Sequence, residues 1–167
     1  MFKLKRYSTR KWTHIIIHHS ATVDGQTYDW EALDKYHVTV KMWSEIGYHF
    51  GVEIVNGLYK LCIGRGLSKV GGHTLGMNEI AIGICLVGNY DLVEPDDTQY
   101  MMLAGLCKNL MIEFDIPLYN IETHNKYNTE KSCPGKLFSM QRLYDEISKI
   151  TGGINEKNVN FGNSGSV

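Results

Sequence analysis

The sequence predicts an α/β protein, a single domain with a mixed central β-sheet flanked by helices, and three observations carry that prediction. Short apolar runs rich in β-branched residues, such as Ile15-Ile16-Ile17 and Ile80 to Val87, alternate with longer segments whose apolar residues recur every three or four positions. A two-residue turn, Asn56-Gly57, sits between two strand-like runs, adding an antiparallel hairpin to strands otherwise joined through helices. The chain has 167 residues, 43% hydrophobic and 21% charged, with no internal repeat or dividing linker. That length suits one domain burying about two thirds of the surface its unfolded form exposes.

Taken in order, residues 1–11 form a basic segment and residues 12–150 the folded domain. Trp12 to His18 is expected as the first strand, nearly continuous in apolar character and so covered on both faces. Alternation puts His14, Ile16 and His18 on one face and Ile15, Ile17 and His19 on the other, and leaves open which terminal histidine faces a site. Ser20 to Gly25 is expected as a loop. Asp29 then caps a helix whose core face is Trp30, Leu33, Tyr36, His37 and Val40, with His37 pairing locally. Tyr48 to Val55 and Leu58 to Ile63 are the hairpin strands. Ile80 to Gly88 reads as a central strand. Pro95-Asp96-Asp97-Thr98 opens a long helix with Tyr100, Leu103, Leu106, Cys107, Leu110, Met111 and Phe114 at helical spacing. After Pro117 a short extended piece runs into His124. Leu137, Met140, Leu143, Tyr144, Ile147 and Ile150 form a last helix ended by Gly152-Gly153, and residues 151–167 read as a flexible tail rich in Asn, Gly and Ser.

Composition excludes several classes. A formal net charge of -1 argues against a domain built to neutralise phosphates, so no nucleic-acid partner is expected. The glycines of Gly64-Arg65-Gly66 and Gly71-Gly72 match no phosphate-cradle spacing. No run approaches the roughly 20 apolar residues of a membrane-spanning helix. Thr13 and His14 interrupt the basic start before any apolar stretch of signal-peptide length, so no signal peptide and no membrane insertion are expected. Of the cysteines, Cys62, Cys85 and Cys107 lie in apolar segments, where cysteine behaves as a small core hydrophobe. Cys133 differs, because polar residues precede it and Pro134-Gly135 follows, which places it in a turn that can present the sulfur.

The stretch His124 to Gly135 therefore stands out, offering an imidazole, an ammonium (Lys131) and a thiol within a short span. Imidazole with thiolate is a donor set that suits zinc, and a catalytic zinc takes three protein ligands with a fourth position open to water. A third donor is expected where the first strand ends in His18-His19.

With these residues in hand the chain resembles a known family. Ile-Ile-Ile-His-His-Ser-Ala-Thr at 15–22, Gly47-Tyr48-His49-Phe50, Gly72-His73-Thr74, Ile82 to Gly88 and Lys131-Ser132-Cys133-Pro134 occur in the same order as in zinc-dependent N-acetylmuramoyl-L-alanine amidases. That family includes phage endolysins and the peptidoglycan recognition proteins. The resemblance spans roughly residues 12–150 and implies the amidase/peptidoglycan recognition protein-like fold. It implies one Zn2+ per chain held by His18, His124 and Cys133, with His19 a neighbour. It assigns Tyr48 a place beside the reacting water and Lys131 the role of the phage-type lysine, and His73 is the candidate for contacting substrate. Cys85 stands where some relatives carry a glutamate, which points to the cysteine-ligated, phage-type branch. The eight residues between His124 and Cys133 are one more than the family pattern, so one residue is expected to bulge outward.

The implied reaction is hydrolysis of the amide between N-acetylmuramic acid and the L-alanine of the stem peptide. The partner is then peptidoglycan, attacked by a monomer made in the cytoplasm and released to the wall, as a phage or prophage endolysin is. Two other readings compete: a non-catalytic peptidoglycan-binding protein, which has no need of a thiolate ligand, and a structural zinc module, which needs a fourth donor.

Overall fold

The computed structural model describes residues 9–22 and 29–150. The expected Gly152-Gly153 helix end, the tail, most of the basic start and part of the loop after Ser20 lie outside the described residues. Five strands, β1 (His14–His19), β2 (Phe50–Val55), β3 (Leu58–Ile63), β4 (Ala81–Leu86) and β5 (Ile121–Thr123), form one sheet in the order β3-β2-β4-β1-β5. β1 runs parallel to β4 and β5, β2 runs parallel to β4, and β2 and β3 form the antiparallel hairpin. The sheet is mixed, β4 is its central strand, and Asn56 and Gly57 both take positive φ in the hairpin turn, as its geometry requires.

Register decides the faces. His14, Ile16 and His18 pair with Ala81, Gly83 and Cys85, and Cys85 pairs in turn with Gly51, so these side chains share one face. Ile15, Ile17, Ile82, Ile84, Leu86, Phe50, Val52 and Ile121 share the other. There they pack on helices α2 (Asp97–Phe114) and α3 (Met140–Lys149) through Tyr100, Leu103, Cys107, Leu110, Leu143 and Ile147. Each fully buried isoleucine or leucine of this layer contributes about 1.5 to 3 kcal/mol relative to an exposed one. Asp96 and Gln99 form a reciprocal capping box at the start of α2, and Ser139 caps α3.

The first face is covered more thinly, by helix α1 (Trp30–Thr39) and the loop between β3 and β4. Asp29 caps α1 as its sequence predicts, and the buried Glu53 carboxylate accepts the Trp30 amide at 2.7 Å, tying α1 to β2. The candidate residues gather at the carboxyl ends of β1 and β5, the edge at which parallel sheets bind ligands.

Three expectations need correction. Tyr36 and Val40, expected on the core face of α1, are exposed, because only the Leu33 and His37 side of that helix turns to the sheet. Cys62 is half-buried rather than core, because β3 is an edge strand with its flank open to solvent. Leu137 lies ahead of α3 and is 46% exposed, since Ser139 starts the helix two residues later. Among the described residues no helix is long and apolar enough to cross a membrane.

Candidate metal centre

β1 delivers two histidines to this edge, and the pleat sends them opposite ways. His19 turns toward the α2 side, where its Nδ1 accepts the Tyr90 amide at 3.2 Å. His18 turns to the thinly covered face beside its register partner Cys85. β5 ends at Thr123, and the next residue, His124, begins a single 3-10 turn, His124–Lys126. Its ring centroid lies 4.5 Å from that of His18.

The chain then loops out and returns to Cys133. The Asn125 amide donates to the Cys133 carbonyl at 2.8 Å, which closes the loop at its base, while Thr129, Glu130 and Lys131 are exposed. The middle of this stretch thus stands in solvent. Asp91, from the segment after β4, clamps the far side: it accepts the Ser132 hydroxyl at 2.6 Å and the Lys136 amide at 2.8 Å. Those two bonds hold its carboxyl below the usual carboxylate range. Gly135 has φ +114, and a Cβ there would lie 2.4 Å from the Tyr90 backbone, so the turn after Cys133 needs glycine.

The outcome is that the donor atoms of His18, His124 and Cys133 all lie within 4.8 Å of one another. His18 Nδ1 and Cys133 Sγ are 3.6 Å apart. Zinc bonds of about 2.05 Å to nitrogen and 2.3 Å to sulfur, at a tetrahedral angle, separate those two atoms by about 3.6 Å. The residues fit the metal in kind and in spacing.

Burial sets the protonation of the cluster. Burial pushes the Cys133 thiol up to about 12, although the His19 backbone amide, 3.4 Å from the sulfur, and the Lys131 charge both pull it down. A buried sulfur of this kind becomes a thiolate when a dication arrives and displaces its proton. His18 is held well below the ordinary imidazole value by burial first and then by His73, His124, His19 and Lys131. His124 is lowered by burial and Lys131. Both rings are neutral at pH 7 and carry a free lone pair, the form that binds metal.

Around this cluster, His73 lies against His18 with Nδ1 3.1 Å from His18 Nε2, and the Thr74 hydroxyl is 3.2 Å from the same nitrogen. Burial and the neighbouring His49 lower His73 to about 3, so it too is neutral. The Tyr48 ring centroid is 5.1 Å from that of His18. Burial, with Cys85 and Cys133 nearby, raises that phenol well above its ordinary value, so it keeps its proton. Behind it, His37 stacks on Trp43 at 4.7 Å and its Nδ1 faces the Gly47 amide at 3.4 Å, the local pairing expected of it.

A sequence profile of the N-acetylmuramoyl-L-alanine amidase family matches residues 8–136. The chain belongs to the N-acetylmuramoyl-L-alanine amidase family. It is 28% identical over 142 residues to the endolysin of Escherichia phage T7, an overlap of 82% of this chain and 88% of that one. It is 27% identical over 146 residues to the N-acetylmuramoyl-L-alanine amidase of Mus musculus, covering 81% of this chain but 27% of the mouse protein's length. Among solved structures, the endolysin amidase LysCS of Clostridium intestinale URNW superposes with a TM-score of 0.72 at 28% identity, covering 83% of this chain and 85% of that one. The amidase-family fold expected from the motifs is the fold observed.

Within the amidase fold, the sequence motifs bring His18, His124, Cys133, Tyr48 and His73 to one place. Lys131 is exposed at the rim, and its charge is felt by His18, His124 and Cys133. Sequence reasoning missed Asp91 and Thr74. Asp91 lies three residues past the Ile82 to Gly88 motif, but its bonds run to Ser132 and Lys136, more than forty residues on, so no local pattern marks it. Thr74 stood inside a quoted motif but was assigned no role.

Proposed function

We propose that this chain is a zinc-dependent amidohydrolase that cleaves the bond between N-acetylmuramic acid and the L-alanine of the stem peptide in peptidoglycan, in the manner of an endolysin. The observation that carries the reading is the convergence of two neutral imidazoles and one thiol within 4.8 Å of one another, with His18 Nδ1 and Cys133 Sγ at the separation a tetrahedral zinc gives, in a chain of the amidase family. His18 through Nδ1, His124 and Cys133 would hold the ion.

The chemistry a zinc ion supplies when bound is Lewis acidity, which polarises a carbonyl and lowers the pKa of water to about 7. The remaining work falls to this chain's own groups. Tyr48 keeps its phenolic proton at neutral pH, so its hydroxyl is a hydrogen-bond donor beside the cluster and orients water or the reacting carbonyl rather than acting as a base. Lys131 carries a positive charge at the rim, where it stabilises negative charge developing on the carbonyl oxygen; losing such a donor costs roughly 10² to 10³ in rate. Likeness to endolysins and to amidases supports the substrate class.

The test is zinc content together with release of L-alanine amino termini from purified cell walls, for wild type, His18→Ala and Lys131→Ala. The expected result is one zinc per chain and cleavage in wild type, loss of both in His18→Ala, and zinc without appreciable cleavage in Lys131→Ala. Stoichiometric zinc in the wild type with no cleavage would favour a protein that binds peptidoglycan without hydrolysing it.

A further inference from the structure

Resting on the zinc reading above, we propose that His73 is a positioning residue that fixes the tautomer and ring direction of His18. A backbone carbonyl can only accept, so the 3.2 Å contact of His73 Nε2 with the Ala81 oxygen puts the ring proton on Nε2 and leaves the lone pair on Nδ1. That lone pair faces His18 Nε2 at 3.1 Å and the Thr74 hydroxyl at 3.0 Å. Two lone pairs do not bond, so His18 must carry its proton on Nε2. It donates to His73 Nδ1, or to Thr74 Oγ1 at 3.2 Å with the threonine proton passing on to His73. In either arrangement His18 Nδ1 is left with its lone pair, and that atom is the one 3.6 Å from Cys133 Sγ. The opposite tautomer would place a hydrogen where the metal belongs.

The ring that imposes this choice is itself held on several sides. A Cβ on Gly83 would lie 2.5 Å from the His73 ring and one on Gly71 would lie 2.6 Å from it, so two glycines make the slot in which it sits. The Asn78 side-chain oxygen accepts the amides of His73 and Thr74 at 2.8 and 2.7 Å and pins their backbone. A metal-binding histidine ordinarily donates its second N–H to a fixed acceptor, and loss of that acceptor costs about 10- to 100-fold in metal affinity. Here the acceptor is another imidazole and its threonine neighbour. Both His73 nitrogens are occupied within the protein, which leaves only ring carbon edges to meet a substrate.

The deciding experiment compares wild type, His73→Ala, His73→Asn and His18→Ala, each refolded with metal. Zinc affinity is read by chelator competition and site geometry by the visible spectrum of the cobalt-substituted protein. Asparagine places an acceptor oxygen near the position of Nδ1. The expected result is a zinc affinity about 10- to 100-fold weaker with displaced cobalt bands in His73→Ala, recovery of most of both in His73→Asn, and loss of binding in His18→Ala. If His73→Ala and His73→Asn keep wild-type affinity and spectrum and change only KM on cell walls, His73 is a substrate contact and the proposal is overturned. Equal loss in both variants would overturn the acceptor argument. A wild type that binds no zinc, with His18→Ala indistinguishable from it, would remove the metal reading and this inference with it.

Discussion

Replacing Gly83 by alanine tests the packing beneath the candidate centre without touching any proposed ligand. The new Cβ would lie 2.5 Å from His73 Cγ and Cδ2 and 2.7 Å from Nε2, whereas carbon atoms in ordinary contact are about 3.5 to 4.0 Å apart. The ring must retreat by about 1 Å. The His73 to Ala81 bond, at 3.2 Å, then passes beyond hydrogen-bonding range, and the 3.1 Å link to His18 loosens with it. Overpacking of this size costs about 1 to 3 kcal/mol, and each lost bond about 1 kcal/mol more. The expected destabilisation is therefore about 2 to 5 kcal/mol, read as a fall in Tm of roughly 4 to 20 °C in a domain of this size. Gly105→Ala is the control: it lies in the interior of α2 with nothing within 4 Å of an added Cβ, so it should stabilise by about 0.5 to 1 kcal/mol. Thermal unfolding followed by circular dichroism with a chelator present measures both. A Gly83→Ala protein within about 0.5 kcal/mol of wild type, the scatter of ordinary surface substitutions, would refute the placement of His73 on β4.

Two further outcomes follow from the same contacts. Asp91→Ala removes the clamp on Ser132 and Lys136 but no proposed ligand, so it should weaken zinc binding while leaving the far-UV circular dichroism spectrum unchanged, because the Asp91 carboxylate bonds to the Cys133 loop and, among the described residues, to no helix or strand; unchanged zinc affinity would show that the loop is held without it. Stability of the metal-free protein should fall as pH drops from 6.5. Burial pushes His49 down to about 4 in the folded protein from near 6.5 in the unfolded chain, so the unfolded state binds the extra proton throughout that window, and acid favours it. At about 1.4 kcal/mol per pH unit, His49 alone should account for about 3 kcal/mol between those limits, and His73, at about 3, steepens the same slope. Urea unfolding at stepped pH measures it, and a flat profile from 6.5 to 4.5 would contradict the burial of both rings in neutral form.

Much of this architecture was legible in the order of residues. Asp29 and Asp96 cap the helices they precede, and Asn56-Gly57 turns the hairpin, because caps and turns are decided by a few neighbouring atoms. The family motifs singled out His18, His124 and Cys133 together. What strand alternation left open was whether His18 or His19 faces the centre: both lie at the end of β1, and only the pairing of β1 with β4 and the placement of α2 on the far face make His19 a partner of Tyr90 and leave His18 for the cluster. The same holds for the roles of Asp91, Thr74 and Gly83, and for the half-exposed Cys62 on its edge strand. Sequence determined the local elements and the chemical types on offer, since those depend on short-range sterics and side-chain identity. Tertiary structure decided which of those groups meet, since contacts spanning a hundred residues depend on sheet order and on which faces the helices cover.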